Sequence, residues 1–268
     1  MATLEFSNGA RLAYGETGAG SPLLLVHGSP GDGRSWARVV KHLPTDLRAL
    51  TPDLPGYGGS TPLPAGTLRR TDAMAAVVGR LMQASTEFAW LCGHSYGGNV
   101  VLHAALQRRE RVNGVILLEP VFMRALELAD EQETLEKART FFSSYVARVL
   151  SGEPEAVSTM VEFWFGPGAF DRLPPSVQGF LVGAAPKNAE DVRAAFSEEI
   201  RREQLNAFDR PVLIAYGGAS PPMAGIIANA LARLMPRVEV VSIPGATHGM
   251  LDTHSAAVVG LIDRLRSQ

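Results

Sequence analysis

The sequence predicts an α/β fold with a mostly parallel sheet flanked by helices, and three observations predict it. Short apolar runs bounded by Gly and Pro alternate with longer stretches of helical periodicity, as repeated βα units do. The runs are Val-, Ile- and Leu-rich, which suits strands covered on both faces. With 268 residues, 46% of them hydrophobic and 19% charged, the chain is long enough for one large core and has the composition of a globular protein.

Strong strand candidates lie at 23–27, 88–92, 115–118, 212–216 and 238–243, and weaker ones at 11–16 and 48–51. Helical spacing with local start or stop signals marks 35–42, 71–83, 97–109, 222–235 and 255–266. A long amphipathic stretch over 127–150 is followed by shorter helical patterns punctuated by Gly152, Pro154, Pro167, Pro174, Pro175 and Pro186, without a strand signal. Residues 121–206 therefore read as an all-helical insertion placed over the sheet as a cap, with 1–120 and 207–268 as the core. This insertion carries Phe122, Phe141, Phe142, Tyr145, Phe163, Trp164, Phe165 and Phe180, so an apolar pocket between cap and sheet is expected. By position, Trp36, Phe122, Trp164 and Met250 are candidates to line it, and equally to be plain core.

Charge and cysteine content narrow the partners. Lys and Arg total 25 against 27 Asp and Glu, a net charge of -2, so nothing favours nucleic acid or an anionic membrane. No apolar run approaches the roughly 20 residues that span a bilayer. The single cysteine, Cys92, excludes an internal disulfide and any multi-cysteine metal site, and suits a reducing compartment. Residues 1–9 lack the basic-then-apolar order of a secretory signal, so the cytoplasm is the expected location. A small-molecule substrate is the expected partner, with no cofactor and no metal; oligomeric state is not written in the sequence.

Three motifs carry chemistry. The strand candidate at 88–92 runs into Gly93-His94-Ser95-Tyr96-Gly97-Gly98 and then a helix, so a G-x-S-x-G pattern stands in the strand–turn–helix setting of a nucleophile elbow. A turn that tight forces strain on Ser95 and lifts its hydroxyl to the positive end of the following helix. The second motif, His27-Gly28-Ser29-Pro30-Gly31, ends another strand. Its Ser29 amide and that of Tyr96 form a natural pair of oxyanion donors, because Pro30 has no N–H. The third, Gly245-Ala246-Thr247-His248-Gly249, follows the last strand. Of six histidines, His248 is the one placed late in the chain in a strand-end loop, where a base can reach back to the serine. His27 and His94 read as braces of their turns, His103 as part of the elbow helix, and His42 and His254 as surface or capping residues.

Taken in order, His27-Gly28, Asp53-Leu54-Pro55-Gly56-Tyr57-Gly58-Gly59-Ser60, the Ser95 elbow and the Gly245–His248 loop resemble the α/β-hydrolase superfamily over nearly the whole chain. The resemblance implies an eight-stranded sheet, a helical cap after the sixth strand and a hydrolytic triad. It implies a structural role for the Asp53 turn. It also implies an acidic residue shortly after the strand at 212–216, where this chain reads Gly217-Gly218-Ala219-Ser220-Pro221-Pro222 with no carboxylate. A neutral Ser220 cannot stabilise an imidazolium as a carboxylate does.

Glu119 is the substitute candidate. It ends the strand at 115–118, and a carboxylate after four apolar strand residues is costly to bury without a partner such as an imidazole N–H. An acid at the end of this strand resembles the arrangement in haloalkane dehalogenases, although their nucleophile is Asp where this chain has Ser95. The structural alternative is a glutamate that holds the entrance to the cap; Asp252 is a weaker candidate acid, close to His248 in sequence and placed to cap the last helix. The expectation is an esterase-like serine hydrolase with Ser95, His248 and Glu119 as its triad. Amide, lactone or carbon–carbon cleavage would use the same parts, and a ligand-binding or regulatory protein on this fold is the competing class.

Overall fold

The structure, a computed structural model, describes residues 1–83 and 89–268. Eight strands, β1 (Ala2–Glu5), β2 (Arg11–Gly18), β3 (Ser21–Val26), β4 (Leu47–Pro52), β5 (Ala89–His94), β6 (Val112–Leu118), β7 (Val212–Gly217) and β8 (Val238–Ile243), form one sheet in the order β1-β2-β4-β3-β5-β6-β7-β8. The pairs from β4–β3 through β7–β8 are parallel, and β2 is antiparallel to both its neighbours. The mostly parallel eight-stranded sheet expected from the sequence is present. Residue 88, with which one strand candidate began, lies outside the described residues.

The helices are α1 (Ala37–Val40), α2 (Arg70–Gln83), α3 (Tyr96–Gln107), α4 (Met123–Leu128), α5 (Gln132–Leu150), α6 (Ala156–Phe165), α7 (Pro175–Ala195), α8 (Arg202–Asn206), α9 (Pro222–Leu234), α10 (Met250–Thr253) and α11 (Ser255–Arg266). Because β3, β5, β6 and β7 are covered on both faces, their residues are nearly all buried, which is why they read as unbroken apolar runs. One face packs Met74, Val78, Val100, Ile227 and Leu231 from α2, α3 and α9. The other packs Val39, Val258, Leu261 and Ile262 from α1 and α11, with Trp36 fully buried among them.

Between β6 and β7 the chain builds α4 to α8. A separate apolar cluster, with Tyr145, Val149, Val157, Ala185 and Ala189, holds α5, α6 and α7 to one another. Phe142 and Trp164 join the main core instead, so the helical layer is fastened to the sheet layer through apolar contact.

Several boundaries differ from the sequence expectation. Strand β1 carries no strand signal in the sequence because it is a four-residue edge strand, alternately half-buried and exposed. The helical pattern at 35–42 resolves into a 3₁₀ turn at Gly33–Trp36 followed by the short α1. The pattern at 127–150 is divided by Asp130, whose φ of 64° ends α4 before α5 begins. Pro186, read as a break, lies inside α7. It can have no bond to the Val182 carbonyl, and Val182 is 37% exposed, so water can serve that oxygen.

Candidate active site

The strands β3, β5, β6, β7 and β8 run parallel, so their C-terminal ends lie along one edge of the sheet and deliver the three motifs, Glu119 and Ser220 to one place. At the end of β5 the chain turns directly into α3, and Ser95 takes φ 54° and ψ −127°, a strained conformation for a residue with a side chain. The flanking glycines are a steric necessity. A Cβ on Gly97 would stand 2.3 Å from the His27 carbonyl oxygen, and one on Gly93 would stand 2.3 Å from that of Gly97. The Ser95 amide still bonds the Leu118 carbonyl at 2.9 Å, so the elbow is tied to β6.

Tyr96 is the first residue of α3, where an amide has no partner within its own helix. The His27–Pro30 turn sits directly against the elbow: a Cβ on Gly28 would be 3.0 Å from the Ser95 Cβ. His27 braces this turn, its Nδ1 donating to the Gly28 carbonyl at 2.7 Å and its Nε2 accepting the Leu54 amide at 2.9 Å. Asp53 has a similar bracing part, with its two oxygens accepting the Gly33 and Gly59 amides at 2.8 Å each.

Glu119 follows β6 with a φ of 45° and is 1% exposed. Its Oε2 lies 2.6 Å from His248 Nδ1, while its Oε1 accepts the Gly217 amide at 2.6 Å and the Ser220 hydroxyl. Burial alone would raise its pKa, but the bond and charge of His248, with the Ser220 and Gly217 donors, outweigh burial and hold the carboxyl below its ordinary value. An ionised carboxylate only accepts, so His248 carries its proton on Nδ1 and leaves Nε2 with a free lone pair.

His248 is held on three further sides. Trp164 stacks on its ring with centroids 4.2 Å apart and planes 21° apart, and Phe165 meets it edge-on at 6.0 Å. From below, His94 Nε2 lies 2.9 Å from the His248 carbonyl oxygen, and a carbonyl partner requires that nitrogen to be the protonated one. Burial, reinforced by the neighbouring His248, pushes the His94 pKa down to about 3, so it remains a neutral brace.

Ser95, His248, Ser29 and Tyr96 all line one cavity of about 460 Å³ between sheet edge and helical layer. Its walls are mainly apolar, with Phe142, Met160, Trp164, Leu173, Leu181 and Phe196 among them. Of the four candidate wall residues named from sequence, Trp164 lines the cavity, while Trp36, Phe122 and Met250 are buried in the cores on either face of the sheet. Asp252 does not meet the His248 ring; it borders the cavity from α10 and pairs with Arg38 at 3.2 Å on the surface. Nor does it cap the last helix, whose N-cap is His254.

Sequence reasoning missed the part played by Ser220. It was noticed where a carboxylate was expected, and the structure places its hydroxyl on the carboxylate that comes from the neighbouring strand. The pairing of a hydroxyl after β7 with a glutamate after β6 was the available signal.

A family model described as the alpha/beta hydrolase family matches residues 23–261. The chain belongs to the alpha/beta hydrolase family. This alpha/beta hydrolase is 26% identical to a pimeloyl-[acyl-carrier protein] methyl ester esterase of Vibrio atlanticus, over 90% of this chain and 92% of that one. A solved thermophilic esterase from Thermogutta terrifontis is 26% identical and superposes with a TM-score of 0.75 over 100% of this chain and 99% of the other. A bromoperoxidase from Bacillus anthracis, 22% identical with a TM-score of 0.73 over 97% and 96%, shares the fold. Among the described residues no helix is long and apolar enough to cross a membrane.

Proposed function

We propose that this alpha/beta hydrolase is a serine esterase that cleaves a largely apolar carboxylic ester through an acyl-enzyme on Ser95. The observation that carries the reading is the 2.6 Å contact of Glu119 with His248 Nδ1, which leaves Nε2 free on a ring that shares its cavity with the strained Ser95.

In the cycle, Ser95 Oγ attacks the ester carbonyl carbon as His248 Nε2 takes its proton. The tetrahedral oxyanion rests on the Ser29 and Tyr96 amides. Collapse breaks the bond to the leaving oxygen, which takes the proton from His248 and departs as the alcohol. Water then attacks the acyl carbon, gives its proton to His248, and the acid leaves as that proton returns to Ser95. Glu119 stabilises the imidazolium present at both stages and fixes the ring.

Esters are favoured over amides because two relatives at 26% identity bear the names methyl ester esterase and esterase. An apolar substrate is favoured because the polar cavity residues Asn188 and Asp191 are already hydrogen-bonded to protein groups. The test is stoichiometric labelling by an organophosphonate, read by mass spectrometry, together with hydrolysis of p-nitrophenyl esters. Labelling at Ser95 that is lost in Ser95→Ala and after heat denaturation is the expected result. Absence of both labelling and hydrolysis would return the chain to the ligand-binding class.

A further inference from the structure

The turn that holds Ser29 is bonded to the helical layer by a directed chain of buried polar groups. Asn188, on α7, points its Nδ2 at both the carbonyl oxygen of Ser29, at 2.9 Å, and its hydroxyl, at 3.0 Å. The Asn188 amide is itself oriented, because Tyr145 on α5 donates to its Oδ1 at 2.7 Å. Beyond Ser29, its hydroxyl lies 2.8 Å from the Tyr57 hydroxyl, and Tyr57 donates to Asp191 Oδ2 at 2.6 Å. Since Tyr57 has one proton and gives it to Asp191, its oxygen can only accept from the Ser29 hydroxyl, which also stands within reach of the Asp191 carboxylate. Arg70 closes the line from the other end, with Nε 2.7 Å from Asp191 Oδ1.

The line therefore runs from Tyr145 to Asn188, from Asn188 to Ser29 and from Tyr57 to Asp191, with the Ser29 hydroxyl placed between the Tyr57 oxygen and the Asp191 carboxylate as its acceptors. Asn188, Tyr57, Tyr145 and Asp191 are all buried, with exposures of 5%, 5%, 3% and 1%. Burying polar groups stabilises a fold less than well-packed apolar side chains of the same size would, so a line of this length fixes geometry more than it adds stability. The residue it fixes is Ser29. Holding both the carbonyl and the hydroxyl of one residue constrains its ψ and χ1, and so the frame from which its N–H projects.

We infer that Asn188 is a positioning residue for the oxyanion site: from the helical layer it aims the Ser29 amide at the developing charge, so that donor is in place when α7 is seated over the sheet. The inference rests on the reading of Ser95 as nucleophile and of the Ser29 amide as an oxyanion donor. A donor that is misaimed by a few tenths of an ångström weakens binding of the tetrahedral state and leaves ground-state binding in the apolar cavity alone.

The experiment compares Asn188→Ala and Asn188→Leu with Ser29→Ala, which keeps the amide and the carbonyl bond. Rates are expressed per active site titrated with the phosphonate, so unfolded molecules are not counted. Both Asn188 variants are expected to lose about 20-fold in kcat with KM within about twofold, and to lose affinity for phenylboronic acid by the same factor as kcat. Ser29→Ala keeps the carbonyl bond but loses the hydroxyl contacts, so it is expected to lose less kcat than either Asn188 variant, and a loss as large as theirs would overturn the carbonyl contact as what aims the amide. If neither Asn188 variant folds, Tyr145→Phe decides, because it removes only the bond that orients the amide: a fall in kcat at constant KM supports the inference, and an unchanged kcat overturns it. Wild-type protein that labels and turns over while the Asn188 variants keep kcat and boronate affinity overturns the positioning role and leaves the esterase reading standing. Wild-type protein that neither labels nor turns over removes the esterase reading and this inference with it.

Discussion

Two buried glutamates, Glu119 after β6 and Glu198 after α7, sit in opposite electrostatic conditions. Glu119 receives His248, Ser220 and the Gly217 amide, and is held below the ordinary carboxylate range in spite of its burial. Glu198, just past α7, receives Asn99 Nδ2 at 2.8 Å and lies 3.6 Å from His103 Nε2, while its Oε2 has no hydrogen-bond partner among the described residues. Burial pushes its pKa up to about 7, against the opposing pull of His103, Asn99 and Thr71. Both are buried, but at Glu119 the His248 contact and the Ser220 and Gly217 donors outweigh the cost of burial, whereas at Glu198 burial outweighs His103, Asn99 and Thr71. The first is kept as an anion that can face an imidazolium; the second bridges α3 and the chain leaving α7 as a carboxyl that is about half protonated at neutral pH.

The largest expected effects test the first cluster. Because the proposed triad acts as a unit, Ser95→Ala or His248→Ala should each lower kcat on a p-nitrophenyl ester by on the order of 10³-fold or more. A loss under tenfold would break the catalytic half of the comparison. Next comes Glu119→Gln, which keeps the volume but removes the charge and sets an amide against donors that need an acceptor. The expected loss in kcat is about 10²-fold or more with KM little changed, while Asp252→Asn stays within about twofold. The reverse ranking of these two variants would assign the acid to Asp252. Glu119→Ala, which leaves the His248, Ser220 and Gly217 donors without their acceptor, should also lower stability by about 1–3 kcal/mol in urea unfolding.

A smaller effect is expected at Trp164. Its face lies on the His248 ring at 4.2 Å, where it limits ring rotation and offers its negative face to the imidazolium. Trp164→Leu should lower kcat about fivefold, and Trp164→Phe, which keeps an aromatic face, about twofold. Equal losses in the two variants would show that cavity shape, not the stacked face, is what matters there.

What the sequence disclosed follows the same division between backbone-driven and context-driven features. Ser95, Ser29 and Tyr96 were legible because glycines and strand–turn–helix spacing constrain them locally, and the parallel order of the central strands then brings their loops to one edge. Glu119 was legible from chemical incongruity, a carboxylate closing an apolar run. Ser220 as its donor, His94 as a brace beneath His248, and the Tyr145–Asn188–Ser29 line were not, since each joins groups far apart in the chain and none has a local pattern. Strand β1 and the interior Pro186 escaped for a related reason: an edge strand draws its stability from pairing with β2, and a proline is tolerated in α7 by packing along the remainder of that helix.

The smallest activity change and the most diagnostic pH response belong to Glu198. In the unfolded chain its carboxyl ionises near 4.5, whereas in the folded protein it stays protonated up to about pH 7. Its contribution to stability is therefore fully present below about pH 4.5 and is lost as the pH rises through 7. The groups that face it are His103, Asn99 and the Tyr96 phenol from α3 and Thr71 and Asp72 from α2; of these only Tyr96 belongs to the proposed site, through its backbone amide and not its side chain. Glutamine imitates the protonated acid, so Glu198→Gln should match wild type in urea unfolding at pH 5 and exceed it at pH 8, by at most about 3 kcal/mol, with kcat at pH 7 within about twofold. A wild-type advantage at pH 8 would mean that the ionised carboxylate is welcomed by His103, and that the two glutamates differ in their partners without differing in charge.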